Sequence, residues 1–144
     1  MSGFLLAIAL VIAFVAGSAL ALRPSPRQRQ LARLRECAVA SGLRVQWRPG
    51  GREVDYLAPW DLEDTGRSRT VRLSLERAPG APWGAGETDP EIVSVLTAFP
   101  SSVTRVQAVP EGLQARWNEA GTLADVEVIA RALRDLGGLL LRAP

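Results

Sequence analysis

The side chains that carry most enzyme chemistry are missing from this chain. With no His, there is no imidazole base, no Ser-His-Asp or Cys-His nucleophile and no His-ligated metal. All 17 basic residues are arginine, which removes the Schiff-base lysine and the lysine of a phosphate loop. Cys37 is the sole cysteine, so no intrachain disulfide can form, in keeping with a reducing compartment. Asp61, Glu63 and Asp64 suggest a divalent cation loop, but Arg72 stands where an EF-hand needs its bidentate Glu. A solvated loop is the better reading. Gly80, Gly84 and Gly86 lack the GxGxxG spacing, and Glu87, Asp89 and Glu91 would repel a phosphate. Among 15 acidic residues no pair is singled out for glycoside hydrolysis. We therefore expect no catalytic residue, no cofactor site, no metal site and no enzyme.

Two tryptophans stand apart. Trp60 and Trp83 sit in turn-rich segments rather than at alternating strand positions. An exposed loop aromatic supplies large, rigid contact area, so both are candidate partner-binding residues. The alternative is that each folds back to close an edge of the core.

The elements that must position these residues begin with an anchor. Gly3 to Leu22 is a run of 20 uncharged residues, and a helix of that length covers about 30 Å, the hydrocarbon thickness of a bilayer. Arg23, Arg27, Arg29, Arg33 and Arg35 follow it, and no basic side chain precedes it. Arginine is retained on the cytoplasmic side, so this asymmetry predicts the N-terminus outside and the remainder inside. Ala19-Leu20-Ala21 has the small-x-small form of a signal-peptide cleavage site, but there is no basic n-region and the apolar run exceeds a signal core. We read residues 1–22 as a retained single-pass transmembrane anchor in a bacterial inner membrane. The five arginines are candidate membrane-surface residues. Set aside, they leave a slightly acidic body, which disfavours nucleic acid as a partner.

Residues 23–42 read as a basic juxtamembrane helix. Ser25 is its N-cap, Pro26 its first position, Leu31, Leu34 and Ala38 its apolar spacing, and Gly42 its end. Residues 43–144 read as one α+β domain. Leu43, Val45 and Trp47 alternate with polar residues, and so do Val54 and Tyr56 after Pro49-Gly50-Gly51, which gives a hairpin. It would set acids opposite Arg44 or Arg48 on a wet face. Val71, Leu73 and Leu75 suggest a third strand and an antiparallel meander. A Pro/Gly loop over 78–89 leads to a helix from Pro90 to Phe99. A second hairpin turns at Pro110-Glu111-Gly112, with Leu113, Ala115 and Trp117 inward. The capping box Thr122-Leu123-Ala124-Asp125 opens a last helix, expected to stop at Gly137-Gly138. The expectation is an antiparallel sheet of about five strands covered by two or three helices.

The exit Ala21-Leu22-Arg23-Pro24 and the run Arg27-Gln28-Arg29-Gln30 resemble the small accessory subunit of the bacterial preprotein translocase, the YajC family. That resemblance covers about residues 3 to 42 and implies one N-terminal span, a basic helix and a small β-rich cytoplasmic body. The family's body opens with Gly-Asp-x-Val, whereas this one opens Gly42-Leu43-Arg44-Val45, and no functional residue carries over. The resulting expectation is a non-catalytic adaptor or accessory subunit of a membrane complex, in contact with the lipid bilayer and a protein partner. The alternative is a membrane-surface sensor of anionic lipid or a small ligand.

Overall fold

The computed structural model describes residues 2–61, 71–84 and 89–142. Two units form, Met1–Leu31 and Ala32–Pro144. In the first, helix α1 (Ser2–Ala21) is long and apolar enough to cross a membrane, and none of its span is buried against protein.

Helix α2 (Pro26–Ala40) begins where capping logic places it. The Ser25 hydroxyl accepts from the Gln28 N–H at 3.2 Å while the Gln28 side chain accepts from the Ser25 N–H at 2.8 Å, a reciprocal capping box. Its end is a Schellman turn. Gly42 takes φ +84°, and the N–H groups of Leu43 and Gly42 donate to the carbonyls of Ala38 and Val39. Leu34, Ala38 and Leu43 are buried in the core.

The second unit holds strands β1 (Arg44–Trp47), β2 (Val54–Pro59), β3 (Ser74–Glu76), β4 (Val103–Val109) and β5 (Gly112–Trp117), with helices α3 (Pro90–Ala98) and α4 (Leu123–Arg142). The sheet is antiparallel throughout, in the order β1-β2-β5-β4-β3. An α+β fold with five strands agrees with the pattern of alternation. The expected meander does not form. β2 pairs with β5 over six residues, from Val54 opposite Trp117 to Pro59 opposite Gly112, while the three-residue β3 goes to the far edge beside β4. The β2–β5 register sets Val54 and Tyr56 beside Ala115 and Trp117 on one face, which buries more apolar surface than a short Ser-Leu-Glu strand offers.

That face is the core. Val54, Tyr56, Val103, Val106, Leu113, Ala115 and Trp117 are each no more than 5% exposed. Helix α4 packs on β5 and β2, and α3 packs on α4. Val126, Ile129, Ala130, Leu133 and Leu136 form the apolar stripe of α4. Its start follows the capping box: the Thr122 N–H donates to Asp125 Oδ2 at 2.8 Å. Its end does not follow expectation, because α4 continues through Gly137-Gly138 to Arg142. A glycine ends a helix by taking a left-handed conformation, and neither of these does.

The opposite face is polar but closely organised. Gln107 Nε2 donates to Gln114 Oε1 at 2.7 Å, and Gln114 Nε2 donates to Gln46 Oε1 across the intervening β2. Leu57, whose register neighbours on that face are Gln114 and Arg44, is 1% exposed beneath this bridge. Beside it Arg116 pairs with Asp55 at 2.9 Å, and Arg105 pairs with Glu76. Asp55 was expected on a wet face opposite Arg44 or Arg48. Its register partner on β1 is Gln46, it is 7% exposed, and Arg48 approaches it only to 3.9 Å.

Candidate functional site

Three groupings of side chains bring chemistry-bearing residues together. The first joins α2 to the segment between β5 and α4. Glu119 is 3% exposed and takes φ +54°, a left-handed conformation uncommon outside glycine. Its carboxylate accepts from Arg35 Nε at 2.8 Å and Nη2 at 2.5 Å, a two-pronged pair, and from the Tyr56 hydroxyl at 3.1 Å. The guanidinium of Arg35 also lies 4.0 Å from the centre of the Trp47 ring. Tyr56 meets Trp117 edge to face at 5.3 Å, and the buried Trp117 Nε1 makes no hydrogen bond among the described residues.

Hydrogen bonds hold the guanidinium and the phenol to the one carboxylate. Burial first, then the charge of Glu119 and the hydrogen bond to it, push the Tyr56 hydroxyl far above the ordinary phenol range, so it serves as a proton donor in a fixed bond. Its bond to Glu119 drives Arg35 upward despite partial burial. Elsewhere on the polar face, burial raises Asp55 above the usual carboxylate range against the pull of Arg48 and Arg105.

The second grouping surrounds Trp83. Arg77 follows β3 and spends its guanidinium on carbonyls: Nε on Val103 at 2.8 Å, Nη1 on Ala81 at 3.3 Å, and Nη2 on Phe99 at 3.3 Å and Pro100 at 2.6 Å. Burial lowers its pKa. Trp83 lies under it at 4.3 Å, donates to the Leu96 carbonyl at 2.7 Å and meets Phe99 edge to face. Carbonyls at the end of α3 are thereby satisfied by side chains from the loop.

The third is a pocket of about 380 Å³ at one end of the core face, lined by Leu43, Trp60, Leu113, Leu133, Gly138 and Leu141, with Arg134 and Asp61 at its polar margin. Trp60 is half-buried and donates through Nε1 to the Val109 carbonyl at 3.0 Å, while its backbone N–H bonds the Glu111 carbonyl. The glycine pair in α4 makes the space. A Cβ on Gly137 would sit 3.6 Å from the Trp60 ring, and one on Gly138 would meet nothing within 4 Å. The arrangement suits an apolar side chain or short apolar group beside a guanidinium.

Of the residues singled out from sequence, Arg23, Arg27, Arg29 and Arg33 are exposed. Arg35 differs from these four, because Glu119 and Trp47 hold it against the folded domain. Trp60 and Trp83 are both half-buried and hydrogen-bonded, Trp60 beside the pocket of about 380 Å³ and Trp83 beside another of about 260 Å³. Cys37 is half-buried, its Sγ 3.9 Å from the Leu123 carbonyl. Glu63, Asp64, Gly86 and Glu87 lie outside the described residues; among those described, no three His, Cys, Asp or Glu side chains gather as a metal site. Sequence reasoning missed Trp47, the most exposed large hydrophobic side chain among the described residues of the folded domain, at 67%. Its signal was an aromatic at the last position of a strand flanked by arginines. Comparison with protein-family models, curated proteins and solved structures returns no match.

Proposed function

We propose that this is a single-pass bacterial inner-membrane protein whose cytoplasmic α+β domain acts as a non-catalytic adaptor or accessory subunit of a membrane complex. The observation that carries the reading is the uncharged helix of Gly3–Ala21 with arginines at its C-terminal flank only, which favours the domain on the cytoplasmic side. Support for an adaptor comes from how the domain employs its charges. Arg35, Arg77 and Arg116 are engaged by a carboxylate or by carbonyls, and the pocket beside Trp60 is chiefly apolar.

The experiment is crosslinking and capture of the full-length protein from its native membrane, with Trp60→Ala and Trp83→Ala in parallel. The adaptor reading expects Trp60→Ala to lose captured partners while retaining a cooperative unfolding transition. Trp83→Ala is expected to destabilise, because its indole caps α3. Equal loss of folding cooperativity in both variants would assign both to the core and remove the pocket from the reading. The version in which the complex is the preprotein translocase rests on the Arg23-Pro24 exit and the Gln28 and Gln30 helix, and co-purification with the translocase channel tests it.

A further inference from the structure

An edge strand leaves half of its backbone N–H and C=O groups without a ladder partner, and proteins generally blunt such edges. β3, at one edge of this sheet, is three residues long and is followed by a turn at Pro79 and Gly80. β1, at the other edge, is four residues long and leads to the turn at Pro49 and Gly50. On the polar face it presents Arg44 and Gln46, with Arg48 continuing the alternation, and on the helix face Val45 and Trp47. Trp47 is 67% exposed, and Val39, one helical turn beyond Arg35 on α2, is 64% exposed. Of Arg44 and Arg48, Arg48 alone meets an acid among the described residues. Asp55 is engaged by Arg116 at 2.9 Å and reaches Arg48 only at 3.9 Å, while Arg44 makes no ion pair among the described residues.

We propose that β1 accepts an extended acidic segment of a protein partner as an added strand of the sheet. Acidic side chains at alternate positions would lie over Arg44 and Arg48, and apolar ones between them would cover Val45 and Trp47. Main-chain bonds supply affinity in this mode and the alternating side chains supply selection. On the inner side of β1 the apolar half of this pattern is present, with Val54 opposite Trp47 and Tyr56 opposite Val45, while Leu57 and Asp55 stand opposite Arg44 and Gln46. A second copy of the chain is a poorer occupant. In an antiparallel β1–β1 pair centred on Gln46, Arg44 would face Arg48, and like charges directly opposite destabilise a ladder. The inference rests on the adaptor reading to the extent that an added strand requires a protein partner.

The test uses the full-length protein in nanodiscs of zwitterionic lipid. Three probes are titrated: a short peptide alternating Glu and Val, the same peptide with Lys for Glu, and the Glu–Val peptide with its backbone N-methylated. Amide hydrogen exchange across residues 44–47 is the readout. The Glu–Val peptide should slow exchange there by about tenfold or more, as a newly protected strand does, and the other two should not. Arg44→Glu with Arg48→Glu should reverse the preference to the Lys–Val peptide. Equal binding of the N-methylated peptide, or binding without protection of β1, would overturn strand addition. Protection that rises with protein concentration in the absence of peptide would overturn the choice of occupant in favour of a second copy. Native partners that persist on the charge-reversed variant but are lost from Trp60→Ala would remove this site and leave the adaptor reading standing.

Discussion

Removing the Arg35 guanidinium from Glu119 should destabilise the folded domain more than any exposed arginine substitution. Two charge-assisted bonds of 2.8 and 2.5 Å are lost, and the carboxylate they serve has a side chain only 4% exposed. Breaking a buried pair by deleting one partner costs about 3–5 kcal/mol. The Arg35 side chain keeps 24% of its surface in solvent, which places Arg35→Ala at the low end, about 3 kcal/mol, or roughly 12 °C in Tm for a domain of this size. The assay is urea unfolding of the full-length chain in nanodiscs, followed by tryptophan fluorescence, since Trp47 and Trp117 flank the pair. A cycle with Arg35→Met and Glu119→Gln isolates the interaction, and a coupling of about 1.5–2 kcal/mol is expected. Glu119→Gly should be more stable than Glu119→Ala by about 1 kcal/mol, because φ is +54° there and both variants lack the carboxylate. A coupling below about 0.5 kcal/mol, the level of an exposed pair, would refute the reasoning.

Tyr56 is the sole tyrosine, so phenolate absorbance reports on one group. Its pKa is raised by folding, so its contribution to stability is complete below the unfolded phenol pKa of about 10 and is lost as pH rises above it. No phenolate should form in the folded protein as pH passes through about 10; a reversible titration there without unfolding would contradict the buried bond to Glu119. Gly138→Ala should stabilise α4 by about 0.5–1 kcal/mol, since the added methyl meets open space. Gly112→Ala should cost about 3 kcal/mol because its Cβ would collide with the Ala58 carbonyl; equal thermal shifts in the two variants would count against the packing described. Arg77→Ala should cost about 2–3 kcal/mol through the carbonyls it leaves unmet at the end of α3, and an unchanged Tm would contradict that role.

Local signals carried most of the fold. Ser25 with Gln28, Gly42, Asp89 and Thr122 with Asp125 each mark a helix boundary because a cap is satisfied within a few residues. Alternation likewise identified β1, β2, β4 and β5. Pairing partners were not readable, since whether β2 takes β3 or β5 depends on apolar faces more than fifty residues apart in sequence. The glycine pair in α4 misled for a related reason: Leu139 to Leu141 beyond it remain helical and half-buried, and the helix continues past residues that stop a chain only when they turn left-handed. At the candidate sites, Trp60 was legible as a tryptophan outside a strand. Its pocket was not, because Gly138 and Leu43 reach it from distant parts of the chain. Arg35 read as one of five equivalent arginines until Glu119, 84 residues away, claimed it.

The central claim, a retained anchor with the domain on the arginine side, is tested most directly by vectorial labelling. In a Cys37→Ser background, single cysteines replace Ser2 and Gly50, and intact spheroplasts are treated with a membrane-impermeant maleimide. The account predicts that position 2 labels at once and position 50 labels only after permeabilisation, on a chain whose mass includes residues 3–22. Labelling of position 50 from outside, or a mature chain beginning at Leu22, would contradict it.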